Sequence, residues 1–266
     1  MRVWVASFIF YVCVFLKCEI LRFIVSRFVK PKNLYFAELL NEFIGTVQIC
    51  APMFDVNFVL ENYGLKGVLV EIIFIEIINA LILRDAIADP CPLIFGFMKG
   101  IFGFMKGVES GVRVITILAV QFSAGYFSYI IARKFWSLGM HPFHLEALEE
   151  ECSADLTVTV IYGSLVEAGG CLAAKTAEVF LEEKIINEKH IIAIQAVVSG
   201  IITILGIHLT GMYANPIVAW ACTFNCGQVP YLAHFFVYWM APLLAWHIAD
   251  GLYGKTNEEA VVKKKE

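Results

Sequence analysis

Long apolar runs constrain this chain more than any other feature of its sequence. A helix needs about 20 mostly apolar residues to cross the ~30 Å hydrocarbon core of a bilayer. Hydrophobic residues make up 59% of the chain and charged residues 17%, whereas soluble domains hold roughly 45–50% and 25%. The composition excludes a soluble protein and predicts an all-α protein that crosses a lipid bilayer several times. Seven runs approach the required length: 3–25, 35–54, 67–84, 112–131, 156–181, 191–209 and 230–250.

The first run differs from the other six because Lys17, Glu19 and Arg22 interrupt it. Its uninterrupted part, residues 3–16, has the length of a signal-peptide core, but no small-x-small cleavage pattern follows it. We therefore expect residues 1–34 to be an uncleaved, extra N-terminal hydrophobic and basic segment. Whether residues 3–25 span the membrane or are removed stays open.

Lysine and arginine residues collect in the connections on one side of the six remaining runs. The positive-inside rule assigns that side, which includes residues 26–34, to the cytoplasm. Both ends of the six-run core then face the cytoplasm, as does the tail 251–266. Lys263, Lys264 and Lys265 in that tail are typical of a dilysine retrieval signal, which predicts the endoplasmic reticulum or another intracellular membrane, with the plasma membrane as the alternative.

Two spacings indicate an internal duplication. Glu42 and Glu167 lie 125 residues apart, and each is followed three positions later by glycine. Asp89-Pro90 and Asn215-Pro216 lie 126 residues apart. Because each half has three spans, the second half is inverted in the membrane. The predicted organisation is a channel domain over 35–250, made of repeat 1 (35–134), a loop (135–155) and repeat 2 (156–250).

The two Asx-Pro pairs are strong helix starts. The Asx side chain caps free backbone N–H groups, and proline at the first helical position needs no donor. A short apolar stretch follows each pair, so each predicts a half-membrane helix whose positive end lies near the midplane. Such ends oppose cations and protons, while capping amides bind the oxygen of a neutral molecule. The sequence thus predicts a passive channel for water or small neutral solutes.

These features resemble the aquaporin (major intrinsic protein) family over residues 35–250. Within the family, the chain looks like the unorthodox superaquaporin (eleven/twelve-like) branch. The resemblance implies an inverted repeat of six transmembrane helices plus two re-entrant half-helices, and it implies a homotetramer. It is carried by Glu42 to Thr46, the two Asx-Pro boxes, Gln121, Glu167 and Thr210-Gly211, and the branch by Asp89-Pro90-Cys91, Trp136 to Gly139 and Val237 to Pro242.

The same resemblance implies that Glu42 and Glu167 brace the re-entrant loops by accepting their backbone N–H groups. Such groups cost several kcal/mol each when left unpaired at membrane depth. The alternative is a site for a coupling ion, because an intramembrane carboxylate is a functional candidate by default. Glu71 and Glu76, to which the family gives no role, keep that alternative open.

The pore boxes depart from the family pattern of Asn-Pro-Ala. They are Asp89-Pro90-Cys91 and Asn215-Pro216-Ile217. The arginine of the classical selectivity filter falls at Val218, and the same offsets place Thr203 and Met212 at two further filter positions. The first-half filter residue falls within 69–74. These residues lack fixed donors, which predicts weakened selectivity for water. Either the pore passes glycerol or hydrogen peroxide, or its apolar ring conducts poorly.

Other classes of function have little support in the sequence. We find no nucleophile with a base at useful spacing, no phosphate loop and no metal constellation, so we expect no enzyme, cofactor or metal. A net charge of −4 argues against nucleic acid as a partner. The eight cysteines form no CxxC pattern, so we expect buried free thiols. The alternatives to a channel are a secondary transporter and a non-conducting membrane scaffold.

Overall fold

The computed structural model describes residues 1–29, 33–101 and 111–263. Every regular element within these ranges is helical, which confirms the predicted all-α class. The elements are α1 (Val3–Phe28), α2 (Leu34–Met53), α3 (Val56–Ile82), α4 (Pro90–Ile101), α5 (Gly111–Trp136), α6 (Pro142–Glu149), α7 (Val160–Lys184), α8 (Glu188–Thr210), α9 (Pro216–Thr223), α10 (Tyr231–Phe235), a π-helical turn (Phe236–Met240) and α11 (Ala241–Lys263).

The molecule has an apolar exterior, and several polar side chains lie in its otherwise apolar interior. Ile161 on α7 and Leu205 on α8 are 77% and 73% exposed, whereas the side chains of Gln121 and Glu167 are fully buried. This distribution suits a lipid environment and would be costly in water. By length and apolar composition, three helical segments of the described chain could cross a membrane: Gly111–Trp136, Glu188–Thr210 and Tyr231–Tyr253. The chain is a membrane protein.

Two long helices differ from the predicted runs. Helix α3 begins at Val56, eleven residues before the predicted run 67–84, but Gly64 interrupts it with non-helical backbone angles (φ 62°, ψ −165°). Glycine adopts this conformation without the penalty that a Cβ would bring. At the other end of the chain, α11 continues to Lys263 and includes most of the predicted tail 251–266.

Helix pairing follows the duplication seen in the sequence. Helix α2 packs against α5, and the corresponding pair in the second half is α7 against α11. Helices α3 and α8 pack against each other across the two halves. The short helices reach across the halves: α9 contacts α2 and α5 of the first half, and α4 contacts α11 of the second half as well as α5 of its own. The two halves are therefore interlocked around the short helices.

Helix α1 lies against α2 and α3. The Cys18 thiol donates to the carbonyl oxygen of Ile44 (3.7 Å), and the Phe8 and Phe74 ring centroids are 5.6 Å apart. The Tyr11 hydroxyl donates to the Glu71 carboxylate on α3. Glu71 thus faces the N-terminal helix, which explains a carboxylate for which the sequence alone offered no role.

Two of the charged residues inside α1, Glu19 and Arg22, also have partners. Arg22 forms an ion pair with Glu19 (2.7 Å), and the other carboxylate oxygen of Glu19 pairs with Arg84. Arg84 follows the C-cap residue of α3, so the pair joins the second half of α1 to the end of α3. A charged interruption in an apolar run is therefore compatible with a helix packed along the rest of the protein.

We expect Tyr11→Phe to destabilise the protein by about 1–3 kcal/mol, because the buried Glu71 carboxyl would lose its hydrogen-bond donor. Thermal unfolding of the purified protein in detergent measures the change. Tyr126→Phe is the matched control, since Tyr126 is 60% exposed on the outer face of α5. Equal effects of the two substitutions would contradict the assigned contact.

Candidate functional site

The two Asx-Pro boxes meet inside the protein. Each Asx side chain caps its own short helix: Asp89 accepts from the Cys91 N–H (2.8 Å), and Asn215 accepts from the Ile217 N–H (3.0 Å). The Asn215 side-chain amide also donates to the carbonyl oxygen of Ala88 (2.9 Å), directly before the first box. The beginnings of α4 and α9 are therefore joined. An ionised Asp89 cannot donate the equivalent bond in return, because a carboxylate has no donor.

Glu42 lies below the first box and holds its backbone. The carboxylate accepts from the N–H groups of Ile87 and Ala88 (2.8 Å each) and from the side-chain amide of Gln121 (2.8 Å). Ala88 has a positive φ of 48°, an unfavourable conformation for alanine that the surrounding bonds must hold. Glu42 is 3% exposed, so these bonds form away from water.

Glu167 makes the corresponding contacts in the second half. It accepts from the N–H groups of Tyr213 (3.2 Å) and Ala214 (2.7 Å) and from the Thr210 hydroxyl (2.6 Å). Ala214 has the same φ, 48°, as Ala88. The two buried carboxylates therefore act on equivalent backbone positions, immediately before Asp89 and Asn215.

The structure places the three candidate filter residues in apolar surroundings. Thr203 donates its hydroxyl to the carbonyl oxygen of Ser199 on its own helix (2.9 Å), which leaves it no free donor. Met212 lies against Gly170 and Gly206, where an added Cβ would overlap its side chain. All three are nearly buried, with Thr203 8%, Met212 6% and Val218 4% exposed.

Val218 and the first-half filter range have identifiable neighbours. Val218 shares an apolar cluster with Cys50 on α2 and with Ile217. Within 69–74, Leu69 and Ile73 lie against Gly200 on α8: a Cβ at that glycine would fall 2.9 and 3.1 Å from their side chains. These contacts connect α3 with the helix that carries Thr203.

Glu76 occupies a different position from Glu71. It follows Leu69 by seven residues on α3 and so lies on the same face of that helix, the one that contacts α8. Glu76 is half-buried and has no hydrogen bond or ion pair among the residues that the structure describes. Of the two carboxylates that left a coupling ion open, Glu76 is the one that remains a candidate.

Sequence reasoning missed a disulfide. Cys152 and Cys226 are bonded, so the expectation of free thiols is wrong for these two cysteines. The Gly227 N–H donates to the carbonyl oxygen of Cys152 (3.0 Å) beside the bond. Cys152 follows three glutamates in a polar loop, and this position outside the apolar runs is the signal that could have separated it from the other cysteines.

The disulfide fixes a segment that contacts the second box. Asp155 receives a hydrogen bond from the Tyr213 hydroxyl, and its own N–H donates to the Thr223 hydroxyl oxygen (3.0 Å). Burial raises the pKa of the Asp155 carboxyl, and hydrogen bonding of that carboxyl with the side chains of Tyr213, Thr223 and Asn57 partly opposes the rise. The loop before α7 is thus fastened to both ends of the segment 213–223.

Comparison with known proteins gives relatives across most of the chain. It is 27% identical to aquaporin-11 of Milnesium tardigradum over 236 residues, which is 87% of this chain and 80% of that protein. Aquaporin-11 of Homo sapiens is 24% identical over 206 residues, 76% of this chain and 72% of the relative. Aquaporin-11 of Equus caballus is 26% identical with the same coverage. No family model matches the chain. The relatives confirm the resemblance to aquaporins and support the superaquaporin branch.

A thiol count checks the disulfide. Because six of the eight cysteines are free, six should react with a maleimide in denaturant before reduction and eight after it. Mass spectrometry of the labelled protein gives both numbers. Cys152→Ser should leave seven reactive thiols with or without reductant, one fewer than the eight of the parent chain. Eight labels on the unreduced parent protein would exclude the bond.

Proposed function

We propose that this homologue of the aquaporins is a passive membrane channel for water and small neutral solutes, including glycerol and hydrogen peroxide. The observation that carries the proposal is the meeting of two capped helix starts, joined by the bond from Asn215 to Ala88. Two positive helix ends at one point repel cations. Amide groups there can donate to the oxygen of an uncharged molecule, and carbonyl groups can accept from its hydroxyl.

The proposed architecture is an inverted repeat over residues 35–250. Repeat 1 (35–134) supplies α2, α3, α4 and α5; repeat 2 (156–250) supplies α7 to α11; and residues 135–155 connect them. In each repeat the short helix, α4 or α9, would be re-entrant. The long helices would span the membrane, with α10, the π-helical turn and the first part of α11 forming one span over Tyr231–Tyr253. The exchanged packing of α4 and α9 and the matching contacts of Glu42 and Glu167 support this arrangement.

Helix α1 would be an additional span. It has 26 residues, which at 1.5 Å per residue is longer than the ~30 Å bilayer core. Phe23 on its outer face is 67% exposed, as expected for contact with lipid. Because α1 covers one side of α2 and α3, a homotetramer would have to form through other helix faces.

The disulfide supports the proposed orientation. With residues 26–34 in the cytoplasm, the loop 135–155 and the segment after α9 lie on the opposite side. Disulfides form and persist in the lumen of the endoplasmic reticulum and outside the cell, and are rare in the cytosol. A bond between Cys152 and Cys226 agrees with that placement.

The proposed filter of Thr203, Met212 and Val218 would select weakly. Thr203 uses its hydroxyl within α8, and the other two side chains have no strong donor. Size then limits passage more than hydrogen bonding does, so discrimination between water and slightly larger neutral solutes would be weak.

Gly170→Ala should lower the glycerol-to-water permeability ratio by about tenfold, the scale of a methylene-sized change in an apolar pocket. The added methyl group would overlap the end of Met212 and move it toward the conduit. Gly169→Ala is the control on the same helix, because nothing lies within 4 Å of its added Cβ. Identical ratios in the two variants would remove Met212 from the proposed filter.

Reconstitution tests the function itself. Proteoliposomes should shrink and swell faster than empty vesicles in osmotic gradients of sucrose and glycerol, with non-saturating fluxes and no sodium or proton current of similar size. A saturating flux that depends on an ion gradient and is lost in Glu76→Gln would identify the secondary transporter instead. Folded protein without any flux would favour a scaffold.

An intracellular location stays a prediction. It depends on Lys263 and Lys264 in the tail; the side chain of the first and all of the second lie outside the described residues. Replacing both with serine should move the protein out of the endoplasmic reticulum in fluorescence microscopy. An unchanged distribution would show that the tail is not a retrieval signal.

A further inference from the structure

A small cavity lies between α4, α7 and α11. Its volume is about 130 Å³, and its lining includes the aromatic residues Phe95 and Trp246. The charged residues of the lining are one lysine and three carboxylates: Lys175, Glu178, Glu182 and Asp250. In the proposed orientation it opens toward the cytoplasm. Phe95 follows Asp89 by six residues, so the cavity lies just beyond the first pore box.

Lys175 has a fixed position in this cavity. Its ammonium group is 4.0 Å from the centroid of the Trp246 ring, a cation–π geometry. It also forms an ion pair with Glu178, one turn further along α7. Asp250, a carboxylate of the same lining, is paired with Lys99 of α4. Among the described residues that line the cavity, Lys175 is the sole cation.

The first pore box needs a compensating charge. An ionised Asp89 places a carboxylate where the two positive helix ends meet, and a negative charge in a narrow pore attracts cations. Glu42, beneath the same box, adds a second acidic group. Lys175 and Phe95 of α4 line the same cavity, and the ammonium group is near enough to Asp89 to favour its charged form, so its charge reaches the first box from the cavity.

We propose that Lys175 is a specificity-determining residue, whose ammonium group offsets the Asp89 carboxylate so that the cytoplasmic half of the conduit excludes small cations. The inference rests on the proposed function as a neutral-solute channel. An ordinary surface pair of Lys175 with Glu178 would contribute little to stability and nothing to selectivity. The difference between the two interpretations is measurable.

Proteoliposomes that contain the full chain provide the test. Lys175→Met should raise the ratio of potassium to glycerol permeability on the order of tenfold, because the carboxylate is left without its cation. Lys175→Arg should keep the ratio near that of the parent. The double variant Asp89→Asn, Lys175→Met should lose the potassium leak. Lys184→Met is the matched control: this lysine is on the same helix and pairs with its exposed neighbour Glu183.

The outcomes separate the two proposals. A ratio in Lys175→Met that equals the ratio in Lys184→Met would overturn the role of Lys175 while the channel function stands. Absence of solute flux in the parent would overturn the channel function. In that case thermal unfolding of the Asp89→Asn and Lys175→Met single and double variants decides: non-additive shifts support the charge pairing, and additive shifts reject it. Lys175→Gln repeats the test if the methionine variant does not fold.

Discussion

The structure depends on the pairing of backbone N–H groups deep inside an apolar protein. A chain that turns back at membrane depth exposes donors that no water can satisfy. Glu42 and Glu167 accept those donors from the residues directly before the two boxes. With the turns held, α4 and α9 can begin at the same place, and the remaining helices can pack around them. Two carboxylates in an otherwise apolar interior thus pair the backbone at both box turns.

The two halves have equivalent carboxylate contacts to the backbone but different residues in their Asx-Pro boxes. Asn215 caps its helix and also bonds across to Ala88, whereas Asp89 caps its helix and carries a negative charge when ionised. Aspartate in place of asparagine at the first box removes one hydrogen-bond donor where the two short helices begin. When ionised, it also places a negative charge there. The disulfide holds the loop whose Asp155 contacts Tyr213 beside the second box. Near the first box, Lys175 is the residue that we propose to offset the charge of Asp89. The two boxes thus differ both in their Asx residue and in the side chains that lie around them.

The sequence was informative where a feature repeats and uninformative where it depends on one contact. The spacing of Glu42 and Glu167 and of the two Asx-Pro pairs predicted the residues that the structure brings together around the helix starts, because duplication imposes a period. No repeated spacing in the sequence predicts the hydrogen bond from Tyr11 to Glu71, because it depends on where α1 packs against α3. The pairing of Cys152 with Cys226 and the position of Lys175 over Trp246 depend on the tertiary fold in the same way.

The separation of the two bonded cysteines also sets a sequence of events during synthesis. Cys226 follows Cys152 by 74 residues, and ribosomes add about 5–20 residues per second. The Cys152 thiol therefore waits for about 4–15 s before its partner has been made. During that interval α7, α8 and α9 are synthesised while Cys152 has no partner. In the orientation proposed above, oxidising enzymes would meet a free Cys152 thiol first, so the order of oxidation and helix insertion would become part of how this chain reaches its native structure.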